Sequence, residues 1–197
     1  MKIAYKIIII FSLLLLTSCK NDSGNANKET IKESTKESVS ESLNEKDKKK
    51  EEILSANMFK NLPKVEIGDE IKLSKSSVVI KGAKLSKDVE ENPVVLIIFD
   101  WKNLSNEKKS IKLTSSIEVI QNLHGTKSAP FLKDTGVYDL LDKKADPGES
   151  IKNAESPHQL YNTEDPIVLE ITDSNYMDEI SFKKFILYMD INNLEKN

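Results

Sequence analysis

The stretch that decides the fold is PVVLIIFDWKN, residues 93–103. One face of it is apolar throughout and the other face is apolar in its first half: Val95, Ile97, Phe99 and Trp101 alternate with Val94, Leu96 and Ile98. Apolar side chains on both faces are typical of a central strand that is covered on both sides. Pro93 stands at the start, where a strand tolerates a missing backbone N–H. The stretch therefore predicts a central, covered β-strand.

Further strands are predicted on both sides of this one, because the sequence keeps alternating with a period of two. They are SSVVIKGAKLS (76–86), SIEVIQNLHG (116–125), PIVLEITD (166–173) and SFKKFILYMDI (181–191). The alternation places Val78, Ile80 and Gly82 on one face of the first. It makes PIVLEITD a strand buried on one face only.

Turn signals separate these strands at residues 103–106, 146–148, 165–166 and 173–175, which are rich in Asn, Asp, Pro and Gly. The longer stretch FLKDTGVYDLLDKK is predicted to be a loop with one helical turn. Short strands at intervals of roughly 8 to 15 residues predict an all-β, antiparallel sandwich over residues 63–197.

The first 18 residues have the pattern of an export signal. Lys2 and Lys6 precede an apolar run from Ile7 to Leu16, and small residues follow. As a helix this run would cover only ~15 Å, about half of the ~30 Å hydrocarbon layer of a membrane. Residues 1–18 are therefore predicted to be a cleaved signal peptide and not a membrane-spanning helix.

The single cysteine of the chain directly follows this signal. Leu16-Thr17-Ser18-Cys19 resembles the lipobox of bacterial lipoproteins, which implies a diacylglyceryl group on the Cys19 sulfur and cleavage just before it. Two acyl chains, such as palmitate, anchor a protein stably, at ~0.8 kcal/mol per buried CH₂. The prediction is a lipidated Cys19 that holds the chain on the extracellular face of the cell membrane.

Two segments link this anchor to the strands. Residues 19–44 carry few large apolar groups and contain KETIKESTKESVSES, in which opposite charges alternate. Such a segment cannot offset its ordering entropy by burial, so a disordered tether is predicted. Residues 45–62 are rich in helix-forming residues and end before Pro63, which predicts a short helix. Whether this helix is a free stalk or lies on the sandwich stays open.

Three stretches carry a resemblance to a known family: IIFDWKNLSNEKKSI, EVIQNLHGTKSAP and KKADPGESIKNAESPHQLYNTEDPIVLEITD. They resemble a domain of unknown function found on lipoproteins of Gram-positive bacteria, through Asn103-Leu104-Ser105, Gln121-Asn122 and Pro147-Gly148. The match covers roughly residues 75–173, and Gly125 comes two residues later than in the family pattern. The resemblance implies an immunoglobulin-like sandwich and a surface address, and it implies no activity.

The charge of the chain argues against nucleic acid as a partner. Asp and Glu number 32 against 29 Lys and Arg, and cleavage of the signal would remove two of these lysines. Nucleic-acid-binding domains are usually basic. All the basic residues are lysine, so the chain also lacks the bidentate guanidinium that clamps phosphate or carboxylate groups.

Motifs of known chemistry are present only in fragments. Asp134-Thr135-Gly136 is the tripeptide of aspartic proteases, but that reaction needs two carboxylates that share a proton, and Lys133 replaces the apolar strand that should precede the Asp. His124 and His158 lie far apart in sequence and lack metal-ligand spacing, so both are interpreted as surface or turn residues. Residues 173–179 resemble a calcium loop only loosely and are interpreted as a hairpin turn.

Aromatic residues offer the remaining candidates. Trp101 is expected in the core, with an exposed platform for carbohydrate or peptide as the alternative. Tyr138, Tyr161 and Tyr176 fall in or near predicted loops, where together they would form a recognition edge.

The sequence thus predicts a lipid-anchored module that binds an unidentified protein or cell-wall partner at the membrane–wall boundary. An immunity or inhibitor lipoprotein, which blocks a toxin, a phage component or a hydrolase, stays open as the alternative. No enzymatic activity, catalytic residue, cofactor or metal is predicted.

Overall fold

The computed structural model describes residues 45–129, 139–174 and 182–196. Along the chain the elements are α1 (45–55), β1 (Glu70–Lys72), β2 (Ser76–Lys87), β3 (Pro93–Asn103), β4 (Lys109–Ser110), a 3₁₀ turn (Ile111–Leu113), β5 (Ser116–Gln121), β6 (His124–Gly125), α2 (Asp139–Asp142), β7 (Lys144–Ala145), β8 (Ser150–Gln159), β9 (Ile167–Thr172), β10 (Lys184–Met189), a 3₁₀ turn (Ile191–Asn193) and β11 (Glu195–Lys196).

The strands form two main sheets. The first sheet has the order β1-β2-β3-β8, and the second has the order β10-β9-β5-β6. All neighbours in these two orders are antiparallel, while the short β11 pairs with β2 in parallel. The prediction of an all-β, immunoglobulin-like antiparallel sandwich is confirmed in its architecture. The central position predicted for residues 93–103 is confirmed too, since β3 lies between β2 and β8.

The main core lies between the sheets. It includes the inward side chains of β3 and of the second sheet: Val95, Ile97, Phe99 and Trp101, with Val119, Ile167, Leu169, Ile171, Leu187 and Met189. Trp101 is 1% exposed, and its indole N–H donates to the Thr114 hydroxyl over 3.1 Å. The expectation of core packing is therefore confirmed for Trp101, and the alternative of an exposed platform is wrong.

The outer face of β3 is covered as well, as its sequence predicts. Val94 and Leu96 are buried there against Ala129. The segment that supplies Ala129 continues the first sheet beyond β8, because Ala129 N–H donates to Pro157 and Gln159 N–H donates to Lys127. Both faces of the central strand are thus removed from water in its first half.

A β-bulge in β2 changes which residues face the core. Ile80 pairs with Phe99, but Gly82 pairs with Ile98, so Lys81 is an extra residue in the ladder. After this bulge Ala83 and Leu85 turn to the core side. The prediction that Gly82 shares a face with Val78 and Ile80 is therefore wrong, because one inserted residue reverses the alternation.

A second irregularity lies in β8 opposite Asp100. Phe99 pairs with Ala154 and Trp101 with Ile151, so two residues of β8 oppose Asp100. The Asp100 carboxylate accepts hydrogen bonds from the Asn153 N–H and the Lys152 ammonium. Burial opposes ionisation of Asp100, but these two donors outweigh it and hold its pKa below the ordinary value.

The predicted turns around Asn103 form one buried network. The Asn103 side-chain amide donates to the carbonyls of Glu107 and Ala145, and its oxygen accepts from Ser105. Its carbonyl accepts from Gly148, which has a φ of +81° in the Pro-Gly turn. A glycine favours this conformation because it has no Cβ. Both motifs are structural turns, as the sequence suggests.

The helix is shorter than the predicted range of 45–62. It ends at residue 55, and consecutive turns occupy residues 56–62. The Ser55 hydroxyl donates to the Glu52 carbonyl, a local bond that competes with helix continuation. Among the described helices, none is long and apolar enough to cross a membrane.

Several predictions fall outside the described residues. They are the signal peptide (1–18), Cys19 and its tether (19–44), the tripeptide 134–136, Tyr138, Tyr176 and most of the calcium-like stretch 173–179. The helical turn predicted within FLKDTGVYDLLDKK is present as α2.

Candidate functional site

α1 lies on the outer face of the second sheet, opposite the main core. Leu54 and Phe59 are buried there against Ile120, Val168 and Ile186 from three neighbouring strands. The sequence pattern of β9 predicts an exposed outer face, but Val168 on that face is buried under this cover. The question of a free or docked helix is thus resolved: the helix is docked.

The face of α1 that meets the sheet is only half apolar. It is formed by residues spaced as neighbours on one helical stripe, namely Lys46, Lys49, Lys50, Ile53 and Leu54. Lys46 pairs with Asp190 at 3.1 Å, and Lys49 pairs with Asp165 at 3.1 Å. The Lys50 ammonium lies 5.6 Å from the centre of the Tyr188 ring, within the range of a cation–π interaction. Charged contacts therefore dock the first half of α1 and apolar contacts dock the second.

Gln121 holds the loop between β8 and β9 beside this helix. Its side chain is fully buried. Its amide N–H groups donate to the carbonyls of Asn162 and Asp165, and its oxygen accepts from the backbone N–H groups of Tyr161 and Asn162. One side chain thus satisfies four backbone groups of the loop, which fixes the loop relative to β5.

Asp165 connects this loop to α1 and to the turn after β5. Its carboxylate accepts hydrogen bonds from the side chains of Asn122, Asn162 and Lys49. These hydrogen bonds lower the pKa of Asp165 to about 2, and the bond from Asn122 contributes most, followed by those from Asn162 and Lys49. The clamp formed by Asp165, Lys49, Asn122 and Asn162 is called the Asp165 clamp.

The Asp165 clamp gives a prediction for acid stability. Because the pKa of Asp165 is lower in the folded chain than its ordinary value of 3.8, its contribution is present at neutral pH and disappears between about pH 4 and about pH 2. Urea unfolding of the wild type and of Asp165→Asn at several pH values measures this. We expect the difference in unfolding free energy between them to be largest at neutral pH and to shrink as the pH falls through this window. A difference that is constant with pH would contradict the assignment.

A groove runs along the β5 side of α1. It has a volume of about 310 Å³, near the lower end of the range for ligand pockets. Its apolar lining includes Phe59, Ile120, Leu123, Pro166 and Val168. Three polar residues lie at its rim, namely Lys49, Glu52 and Asn122. We call it the β5-side groove.

Leu123 is an unusual residue for its place in this groove. Gln121 pairs with His124, so Asn122 and Leu123 form a two-residue hairpin loop, and both have positive φ, of 53° and 63°. This is the type I′ turn, in which Asn is common at the first position and Gly at the second. Leu123 is neither a glycine nor buried, because 48% of its surface is exposed. The chain thus holds an apolar side chain at the groove at a conformational cost of about 1–2 kcal/mol.

A second groove runs along the other side of α1, next to β10. It has a volume of about 430 Å³. Its lining is formed by Lys50 and Leu54 of α1, by residues 64–67, and by Ile186 and Tyr188 of β10. We call it the β10-side groove.

The two histidines do not come together in one site. His124 is exposed in β6, as expected, but His158 is buried in β8, so its interpretation as a surface or turn residue is wrong. His158 Nε2 lies 2.9 Å from the Ser156 hydroxyl. Burial lowers the pKa of His158 to about 4, so the imidazole is neutral at neutral pH and is a weak general base. Within the described residues, no group of three His, Cys, Asp or Glu side chains is placed to hold a metal ion.

The loop tyrosine that the structure describes has a structural contact. Tyr161 is exposed, and its hydroxyl donates to the Gly125 carbonyl. It therefore ties the β8–β9 loop to β6, close to Leu123. Of the three tyrosines that were predicted to form a recognition edge, Tyr161 is the one that lies within the described residues.

Sequence reasoning identified Ile53 and Phe59 as part of an apolar stripe on the predicted helix, but it missed the lysines and the exposed leucine that border the grooves. The stripe of Lys46, Lys49 and Lys50 was detectable, because these lysines continue the helical spacing of Ile53 and Leu54. The exposed Leu123 was detectable too, since Asn-x between a strand and a short return strand indicates a two-residue turn.

The chain is also similar to a known family of domains. A family model described as a domain of unknown function, DUF5067, matches residues 33–173. No curated protein matches the chain.

Three solved structures are similar to this chain. A candidate lipoprotein from Staphylococcus aureus is 14% identical with a TM-score of 0.51, over 66% of this chain and 93% of that chain. An uncharacterized β-sandwich protein from Clostridium difficile is 17% identical with a TM-score of 0.47, over 66% and 95%. A protein from Enterococcus faecalis is 20% identical with a TM-score of 0.45, over 63% and 92%. At 14% identity, the likeness to the Staphylococcus aureus structure concerns the fold alone.

Proposed function

The chain belongs to the DUF5067 family of domains of unknown function, and from this premise we propose that it is a lipid-anchored binding module on the outer face of the cell membrane. Its ligand site is the β5-side groove. Its partner is a protein that inserts a bulky apolar side chain from an extended segment into this groove.

The anchor part of the proposal is supported by the sequence around Cys19. The export signal, the small residues Thr17 and Ser18 and the single cysteine agree with the lipobox pattern, and a similar fold occurs in a candidate lipoprotein from Staphylococcus aureus. A diacylglyceryl group on Cys19 would place the sandwich outside the cell at the end of its tether. Mass spectrometry of the mature N-terminus tests this: a free thiol on residue 19 would contradict the anchor.

The observation that carries the binding site is Leu123. A chain selected only for stability would place Gly at this position of a type I′ turn, and exposure of a leucine side chain to water is not favourable either. Strained and exposed residues are frequent at functional sites. Leu123 therefore indicates a surface kept for a ligand.

The shape and lining of the β5-side groove favour a protein segment as the ligand. Phe59, Ile120 and Val168 form an apolar floor between α1 and the sheet, and this floor can take one or two apolar side chains. Lys49, Glu52 and Asn122 at the rim can pair with backbone or polar groups beside such a side chain. The groove thus combines an apolar anchor point with a polar edge.

We propose binding without a reaction. The Ser156 hydroxyl and the buried His158 form the single Ser–His contact in the described part of the chain. This contact lies on β8 in the first sheet, whereas both grooves lie on the second sheet. The proposed function therefore assigns no catalytic residue to the grooves.

The decisive variant is Leu123→Gly. We expect it to raise the free energy of unfolding by about 1 kcal/mol, because glycine relieves the left-handed strain. Peptides selected from a displayed random library on the wild-type protein should share a bulky apolar residue, and Leu123→Gly should bind them about tenfold more weakly. Chemical denaturation and isothermal titration measure the two effects.

Leu113→Gly is the matched control. Leu113 is also exposed and is the last residue of a short 3₁₀ turn, but it does not line the groove. This control should bind the selected peptides like the wild type. A Leu123→Gly variant that is less stable and binds the peptides unchanged would overturn the proposal, since Leu123 would then be a structural residue.

A further inference from the structure

We propose that the β10-side groove binds a single-chain amphiphile with an anionic head, such as a fatty acid carboxylate. This site is separate from the β5-side groove and does not depend on the proposed protein partner.

The floor and walls of the β10-side groove suit a hydrocarbon chain. Leu54 and Ile186 form the buried base, Val65 is partly buried, and Ile67 is exposed at the rim. The Tyr188 ring closes one side. The volume of about 430 Å³ is within the range of sites that hold small ligands.

The charges at the rim favour an anion. Lys50 and Lys64 both line the groove, against one carboxylate, that of Glu66. In the described part of the chain, neither of these two ammonium groups forms an ion pair with a carboxylate. Lys50 contacts the face of the Tyr188 ring instead. An anionic head group would therefore find two cations beside an apolar trough.

The backbone around the groove argues against a peptide as the ligand. An extended peptide would need hydrogen-bond partners for its own N–H and C=O groups, usually from a free strand edge. At β10 this edge is already occupied, since Ile186 N–H donates to the Pro63 carbonyl and Val65 N–H donates to the Ile186 carbonyl. A hydrocarbon chain needs no such partners.

The test uses dodecanoate below its micellar concentration as the probe for the mature full chain. The comparison ligands are dodecyltrimethylammonium, which has the same tail and the opposite charge, and butyrate, which has the charge and almost no tail. We expect dodecanoate to shift the amide signals of Ile67, Ile186 and Tyr188 and to bind about tenfold more tightly than the cation. Butyrate should not bind in the same range.

Variants at an exposed position separate charge from packing. Ile67→Lys and Ile67→Glu remove the same apolar side chain, and we expect the Lys variant to bind dodecanoate about tenfold more tightly than the Glu variant. Lys50→Gln together with Lys64→Gln should reduce the preference for dodecanoate over the cation to near unity. Lys102→Gln, on the first sheet, is the control and should bind like the wild type.

Three outcomes would overturn the inference. They are equal binding of dodecanoate and the cation by the wild type, no difference between the two Ile67 variants, and binding only to vesicles of anionic phospholipid. The last result would indicate a membrane-surface contact in place of a groove for a single chain.

Discussion

Phe59→Ala is expected to detach α1 from the sandwich and to lower the free energy of unfolding by about 3 kcal/mol. The Phe59 side chain has no exposed surface and packs with Leu54, Ile120 and Ile186 between the helix and the second sheet. Its removal leaves a cavity that the charged half of α1 cannot compensate, because exposed ion pairs contribute only about 0–1 kcal/mol each.

The loss should be local. The main core between the sheets does not include Phe59, so the strands should keep their pairing when the helix is released. Amide hydrogen exchange measures this: residues 47–55 should lose protection in Phe59→Ala, while β3 and β9 keep theirs. Both grooves would disappear with the helix, and with them both proposed binding activities.

Met58→Ala is the control in the neighbouring position. Met58 is 46% exposed, and its truncation should change the free energy of unfolding by less than about 0.5 kcal/mol. If Met58→Ala and Phe59→Ala released the helix equally, the docking would not depend on the buried ring.

Most of the fold could be predicted from the sequence, because apolar side chains recur with a strong period of two along the strands. Residues 93–103 predict a central strand through apolar side chains on both faces, and Pro93, Asn103 and the Pro-Gly turn predict where strands begin and end. These signals are local, so a single sequence contains them.

Two of the errors share a physical origin, which is information that arises only when distant segments meet. The bulge at Lys81 reverses the faces of β2, and it is specified by the pairing with Phe99 and Ile98. The outer face of Val168 is buried because α1, more than a hundred residues earlier in the chain, folds back over it. No local pattern in β9 could indicate this cover.

The candidate site was harder to predict from the sequence than the fold. Lysines in a charged helix are usually interpreted as a solvated face, yet Lys46 and Lys49 meet Asp190 and Asp165 from remote parts of the chain. The carboxylate of Asp165 belongs to an Asp-Pro turn in the sequence and becomes the centre of a clamp only in the folded chain. Sequence reasoning therefore located the turn but not its role.

α1 consequently links the proposed anchor to the proposed binding sites. In the sequence, the predicted tether (19–44) directly precedes this helix, and both grooves have the helix as a common wall. The contact between α1 and the second sheet is charged at one end and apolar at the other. Acid should therefore weaken it at the Asp165 clamp, and truncation of Phe59 should weaken it at the apolar end. The acid experiment and the Phe59 experiment therefore examine the two ends of one interface.

Gln121→Leu is expected to cost about 3 kcal/mol of unfolding free energy, although it replaces a polar side chain by an apolar one of similar size. The buried Gln121 amide satisfies four backbone groups of the β8–β9 loop. A leucine leaves these groups without partners inside the fold, and each buried unsatisfied group costs about 1–3 kcal/mol unless water reaches it. Chemical denaturation measures the loss.

The loop should also move in this variant, which distinguishes a lost anchor from simple misfit. Without Gln121 the Asp165 clamp loses its support, so the pKa of Asp165 should rise toward its ordinary value of 3.8, and NMR titration of the carboxylate reports this. Gln121→Glu is the informative partner variant, since a carboxylate accepts from Tyr161 and Asn162 N–H but cannot donate to the two carbonyls. At neutral pH it should lose at least as much stability as Gln121→Leu, because its buried charge faces the two carbonyl oxygens. A Gln121→Leu variant with unchanged stability and an unchanged Asp165 titration would show that the loop is held by other contacts.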